Sequence, residues 1–177
     1  MTDLFTQSAI NYENFIVRPL HLEDYNKGFL DVLALLTGVG KVSFDQFEKT
    51  FNEMKSGKMH YIYVATNLED TEILATGCLG IEQKFIRNCA LKGRVEDVIS
   101  KGTNFTERDD MDNAIMKAIC EKAAELKCYK MSLESLDAHL NFYEDFGFKV
   151  DKELEMVNRH IVHKDNTETR FDDFKSK

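Results

Sequence analysis

Apolar residues along this chain change their spacing several times, and each change marks a new element. Phe15-Ile16-Val17-Arg18 reads as a short strand, and it stops at Pro19, the single proline, which cannot donate to a ladder. From Leu22 to Leu36, Tyr25, Phe29, Val32, Leu33 and Leu36 recur at helical spacing until Thr37-Gly38-Val39-Gly40 breaks the helix. Ser43 caps a second helix, whose Phe44, Phe47, Phe51 and Met54 form one apolar face and which Ser56-Gly57 closes. His60–Ala65 and Ile73–Ile86 read as a hairpin turning at Asn67-Leu68-Glu69-Asp70, and Gly77 and Gly80 mark twist or close backbone approach in its second strand.

Arg87 to Lys92 connects this hairpin to a strand at Gly93–Ile99. A polar loop, Ser100 to Asp110, leads into a helix ending near Lys127, with Ile115, Ala118, Ile119, Lys122 and Leu126 along one side. Tyr129–Glu134 is the next strand, Leu140–Phe148 an aromatic-rich helix, and Lys149–His160 a last strand. Strand, two helices, three strands, helix, strand, helix, strand makes an α/β fold with a mixed central sheet flanked by helices on both faces. We expect one domain over residues 14–161, an extended arm at 1–13 and a charged tail at 162–177.

Composition narrows the function. The 43% hydrophobic content with 13 Phe and 6 Tyr indicates a folded chain, and a net charge of −8 leaves no basic stripe for nucleic acid. No apolar run approaches the roughly 20 residues that span a bilayer. Met1–Phe5 has neither the basic nor the apolar region of a signal peptide, so a cytoplasmic protein is expected. Cys78, Cys89, Cys120 and Cys128 have no metal or disulfide spacing and read as reduced, mostly buried thiols. The five scattered histidines lack metal-ligand spacing, so no metal is expected and none of them reads as catalytic.

Gly93-Arg94-Val95-Glu96-Asp97-Val98 resembles the glucosamine-6-phosphate N-acetyltransferases of the GNAT acetyltransferase superfamily. The likeness extends to Leu36-Thr37-Gly38-Val39-Gly40, Lys84-Phe85-Ile86, Cys128-Tyr129-Lys130, Leu133-Glu134 and Asn141-Phe142-Tyr143-Glu144-Asp145-Phe146-Gly147-Phe148, then Met156 and Arg159. The resemblance implies the GNAT acyl-CoA N-acyltransferase fold and a homodimer. It also implies acetyl-CoA as co-substrate, glucosamine 6-phosphate as acceptor, and direct attack of the sugar amine on the thioester.

Site residues follow position by position. Leu36, Thr37, Glu96, Asp97 and Arg159 match substrate-binding positions, Arg159 reaching the sugar phosphate across the dimer. Glu134 matches a carboxylate that orients or helps deprotonate the amine, and Tyr143 the phenol that faces the CoA sulfur. Val98, Ile99, Ser100, Asn141 and Tyr143 match the donor-binding set. Read without the resemblance, Glu96 and Asp97 are adjacent on a strand and point to opposite faces unless a bulge re-aims one. Glu134 is then a strand-end surface acid, Arg159 a solvated charge, and Phe142, Tyr143 and Phe146 simple helix packing.

One motif departs from the family. Its pyrophosphate loop, Gln/Arg-x-x-Gly-x-Gly/Ala, offers backbone N–H groups at a helix start, and its glycines let the phosphates approach. Here Glu107 stands for the Gln/Arg, Asp110 for the first glycine and Asp112 for the second. With Asp109, that sets four acids against Arg108 alone. At roughly 8 Å and an effective dielectric of about 40, each like-charge pair costs about 1 kcal/mol before screening. The Asp side chains are also expected to cap the helix themselves and so occupy the anion site. Lys101 and Arg108 are the cations placed to compensate. Two readings follow: an acetyltransferase with weakened CoA binding, or a paralogue without catalysis that binds sugar phosphate or forms a heterodimer with an active relative.

Overall fold

The computed structural model describes residues 9–102 and 105–151, with side chains from Arg108 onward in the second stretch. One six-stranded sheet runs β1 (Ile10–Asn11), β2 (Ile16–Pro19), β3 (His60–Thr66), β4 (Ile73–Gln83), β5 (Leu91–Ser100) and β6 (Lys130–Ser132), in spatial as in chain order. Neighbours are antiparallel except β5 and β6, which pair in parallel. The long helix Phe105–Glu125 supplies the only crossover among the described residues and covers one face. Phe29–Leu33 and the capped helix Phe44–Gly57 cover the other.

Two apolar layers result. Val17, Tyr61, Tyr63, Leu79 and Val95 pack with Ile115, Met116 and Ile119 of the long helix. Phe29, Val32, Phe47, Val64 and Ile73 fill the opposite side. Alternate β3 residues therefore serve alternate layers, as the pleat requires. Gly77 is where the long helix presses closest, because a Cβ there would lie 2.5 Å from Ile115 Cγ2. Lys122, on the helix's inner side, is buried with its ammonium 2.7 Å from Glu125 Oε2 and 5.3 Å from the centre of the Tyr61 ring.

Several boundaries differ from the expected ones. The helix read at Leu22–Leu36 is a 3-10 turn, Leu22–Lys27, followed by the helical Phe29–Leu33, because Gly28 adopts φ +84° between them. Ile10–Asn11 pairs with β2, so part of the expected arm belongs to the sheet. β4 ends at Gln83, after which Arg87, Asn88 and Cys89 take left-handed conformations. β6 stops at Ser132, short of Glu134. Of the four free cysteines only Cys78 is buried; Cys89 is exposed and the other two are half-buried. The expected last strand lies beyond Asp151, outside the described residues, as do Met156, Arg159 and the tail.

A buried charge cluster ties the β2 end of the sheet together. Arg18 grips the fully buried Asp24 with two hydrogen bonds, Nη1 to Oδ2 at 2.8 Å and Nη2 to Oδ1 at 2.7 Å. Arg18 also reaches Asp70 in the β3–β4 turn, where Lys27 adds a 3.0 Å contact. Partial burial pushes the Asp70 carboxyl upward, but the bonds from Arg18 and Lys27 outweigh it and hold the group below its usual range. Removing Asp24 leaves the Arg18 charge buried against a half-lost cluster. We therefore predict that Asp24→Ala lowers folding stability by about 3–5 kcal/mol, measured by urea unfolding. A loss under about 1 kcal/mol would show the cluster to be energetically idle.

Candidate functional site

β5 and β6 hold together through only three register pairs, Lys92↔Lys130, Gly93↔Met131 and Arg94↔Ser132. Beyond Arg94 and Ser132 the two chains part. The gap opens into a cleft of about 730 Å³ whose one wall is β5 from Arg94 to Ser100 and whose other wall is Leu133–Leu136. The long helix closes one end with Arg108, Asp109 and Asp112, and Phe142 and Tyr143 close the side. Edge backbone of a parallel strand, free of its neighbour, is thereby exposed to a ligand at the carboxyl ends of the strands.

A bulge shapes the β5 wall. Thr76 pairs with Ile99 while Cys78 pairs with Glu96, so Asp97 and Val98 together oppose the single residue Gly77. Asp97 takes φ +56°, unusual for a residue with a Cβ. Parity switches across it: Val95 and then Val98 face the long helix, whereas Ile99 packs on the opposite layer. The extra residue brings both Glu96 and Asp97 to the cleft, which settles how two consecutive acids share one site. Both also stand at the end of a separate cavity of about 370 Å³, walled by Phe29, Leu33, Phe47, Phe51 and Ile62.

Arg94 organises the acids. Its Nε lies 3.0 Å from Glu96 Oε1, and its Nη2 forms a short ion pair with Glu134 Oε1. Two carboxylates on opposite walls are thus bridged by one guanidinium across the gap, with all three side chains more than one-third exposed. No sequence motif singles out Arg94. The available signal is its i, i+2 relation to Glu96 on one strand face. Partial burial, and then the Glu96 charge, push the Asp97 carboxyl upward. Burial, followed by the Asp112 charge, raises the Tyr143 phenol, which therefore stays protonated and able to donate.

Leu36, Val98, Ile99 and Ser100 join Glu96, Asp97, Glu134 and Tyr143 on the cleft. Thr37 and Asn141 do not line it; both are exposed nearby. Arg159 is outside the described residues. His139, set aside on sequence, lines the cleft beside the helix start. Among the described residues no group of His, Cys, Asp and Glu is arranged to hold a metal.

The expected anion loop is not a loop. The long helix begins at Phe105, so Asp110 and Asp112 sit inside it rather than capping its end. Backbone amides from Asp109 on consequently fall within the helical ladder, and only those of the first turn remain uncommitted. Arg108 donates through Nε to the Gly102 carbonyl at 3.1 Å, and Lys101 pairs with Glu72 at 3.2 Å. Asp112 is the residue most affected. Burial pushes its carboxyl up to about 6 despite a hydrogen bond with Ser100, with Asp109 adding to the rise and Arg108 and His139 opposing it. Its Oδ1 is buried without a hydrogen-bond partner.

No protein-family model matches the chain. A probable glucosamine 6-phosphate N-acetyltransferase of Drosophila melanogaster is 37% identical over 155 residues, which cover 81% of this chain and 70% of that protein. The glucosamine 6-phosphate N-acetyltransferase of Arabidopsis thaliana is 32% identical over 81% of this chain and 95% of its own length. The chain belongs to the glucosamine 6-phosphate N-acetyltransferase family. The crystal structure of the Arabidopsis enzyme matches with a TM-score of 0.76 at 31% identity, over 83% of this chain and 99% of that one. A Trypanosoma brucei acetyltransferase, 23% identical with a TM-score of 0.73, shares the fold over 82% of this chain. The six-stranded mixed sheet flanked by helices is thus the fold of the GNAT acetyltransferases.

Asp112 makes stability depend on pH in a defined direction. A carboxyl raised from 3.8 to about 6 on folding stabilises the native state fully below pH 4, and that contribution is lost as pH rises through 6. Relative to Asp112→Asn, the wild-type chain is expected to lose on the order of 2–3 kcal/mol between pH 4 and 7.5. Urea unfolding of both proteins at several pH values reads this directly. A difference that stays constant with pH contradicts the burial of this group.

Proposed function

We propose that this chain transfers the acetyl group of acetyl-CoA to the amine of glucosamine 6-phosphate, with the donor threaded between β5 and Leu133–Leu136. The observation that carries the proposal is the pairing of two features across one gap: a bulged acidic strand bridged by Arg94 to Glu134, and a protonated phenol at Tyr143. The sugar amine, positively charged in water, is drawn to Glu96, Asp97 and Glu134. One of these carboxylates, or water beside it, takes the proton that frees the lone pair. The nitrogen attacks the thioester carbon, and the collapsing intermediate breaks the C–S bond. The sulfur leaves as a thiolate that takes a hydrogen bond and proton from Tyr143; the second amine proton passes to the acidic wall, which releases one proton to solvent while the Tyr143 phenolate regains one from water.

Direct transfer suits the side chains present. Among the described residues no cysteine lines the cleft. Cys78, beside Glu96 in the sheet, is pushed up to about 12 by burial and then by the nearby Asp97 and Glu96 charges, so it stays an unreactive thiol. A covalent acetyl-cysteine step therefore has no nucleophile to start from here. Sugar-phosphate binding and the homodimer belong to this proposal as well. Arg94 is engaged with two acids, and Arg108 with Gly102, so the phosphate calls for another cation, the role the family likeness gives Arg159. The alternative of an inactive paralogue finds no support in the relatives, which are named as transferases.

The acidic helix start still sets the donor's affinity. Measured as free thiol released from acetyl-CoA with and without glucosamine 6-phosphate, the wild-type chain is expected to turn over only with the sugar present. Sugar-independent or absent release overturns the assignment. Tyr143→Phe, which keeps the ring and removes the proton, is expected to lower kcat by about 10²-fold or more with little change in KM. Rebuilding the family pattern with Glu107→Gln, Asp110→Gly and Asp112→Gly is expected to tighten acetyl-CoA binding at least tenfold, or about 1.4 kcal/mol. Unchanged affinity in that variant would assign the donor's phosphates to another surface.

A further inference from the structure

We infer that Asp112 is a donor-binding residue that takes up one proton from solution when acetyl-CoA binds, and presents its neutral carboxyl to the anionic diphosphate. The inference rests on the donor placement proposed above and goes further by assigning a residue and a proton. Three observations support it. First, the cleft runs from Tyr143 to the helix start, and Asp112 lies on its wall beside Ser100 and His139. Second, Asp112 Oδ1 is buried and unpartnered, so it is a hydrogen-bonding atom awaiting a donor or a proton. Third, the amides that would greet phosphate at this level are spent inside the helix that starts at Phe105, which leaves side chains to meet the anion.

A carboxylate there repels the diphosphate, but a carboxylic acid donates an O–H to a phosphate oxygen. The balance is one proton gained per donor bound, with no bond in the donor broken. The groups facing Asp112 are Arg108 and Asp109 on its own helix, Ser100 on β5, His139 at the end of the 3-10 turn Asp137–His139, and Tyr143 on the helix Leu140–Glu144, shorter than the expected Leu140–Phe148. Asp109 and Tyr143 favour the neutral acid or are indifferent to it. Arg108 and His139 favour the carboxylate in the empty cleft, and the Arg108 guanidinium is also a cation a diphosphate attracts. Since Asp112 titrates at about 6, most copies carry the charge at neutral pH, and binding must draw the proton in.

Calorimetric titration of the full chain with acetyl-CoA at pH 7, in two buffers of different ionisation enthalpy, reads the proton count. The expected result is an uptake approaching one proton, with affinity weakening by up to about tenfold per pH unit between pH 6.5 and 8. In Asp112→Asn the uptake should vanish and binding at pH 8 should become at least tenfold tighter than in the wild type. His139→Gln should retain the uptake. Binding by the wild type with no proton uptake overturns this inference while leaving the acetyltransferase reading intact, as does uptake that survives in Asp112→Asn or disappears in His139→Gln. Absence of binding at both pH 6 and pH 8 overturns the two together. The wild-type buffer comparison needs no variant, so a poorly folding substitution does not shelter the idea.

Discussion

The termination of β5–β6 pairing after three residues is the constraint on which the site depends. Parallel strands normally bond along their length, and breaking off early leaves N–H and C=O groups that must find other partners. β5 cannot follow β6 because it is held on its other side by eight register pairs with β4 and carries a bulge at Asp97. The bulge bends the strand and increases its local twist. β6, three residues long, has nothing to hold it past Ser132 and passes into the extended turn that carries Glu134. The cleft is therefore a consequence of sheet geometry rather than a gap left by poor packing.

Packing behind the bulge explains why it is tolerated. A positive φ at an Asp costs on the order of 1 kcal/mol, which surrounding structure must outweigh. Opposite the bulge stands Gly77, whose missing side chain lets Ile115 and Ile119 of the long helix fill the space directly against β4. The same apolar contacts that fix the long helix thus hold the strained residue in place. A larger residue at 77 would push the helix out and loosen the cleft wall, so a residue that touches no substrate helps to set the site's shape.

Much of this is legible in the sequence, for identifiable reasons. Strands and helices with strong period, such as His60–Thr66 and Phe44–Gly57, sit where their patterns place them, and the Ser43–Gln46 capping box is formed as a reciprocal pair. The cleft brings together Glu96, Asp97, Glu134 and Tyr143, the acids and the tyrosine that the family likeness names. What the pattern hides are features of backbone geometry and long-range pairing. Gly28 lies inside a run with helical spacing, and only its φ reveals that it divides the run. Arg94 carries no local signal for its bridge to Glu134, forty residues away. Two adjacent acids on a strand make a bulge conceivable, but its cause is the register with β4, which no local pattern displays.

The helix start shows how one stretch can read wrongly as structure. Glu107 to Asp112 is hostile to phosphate on charge alone, and its acids read as caps of a helix beginning after them. Substituting Asp for two glycines has a second effect that composition alone does not display. Glycine disfavours the helix interior by about 1 kcal/mol relative to Ala, and Asp by less, so replacing glycines lowers the cost of extending the helix backward. Extension commits the amides that the loop would have offered, and it carries Asp112 onto the cleft wall, where desolvation opposes its charge. Electrostatics and helix propensity thus act on the same anion site from two directions. Protonation of Asp112 would relieve only its own share of the electrostatic part, since the helical amides stay committed.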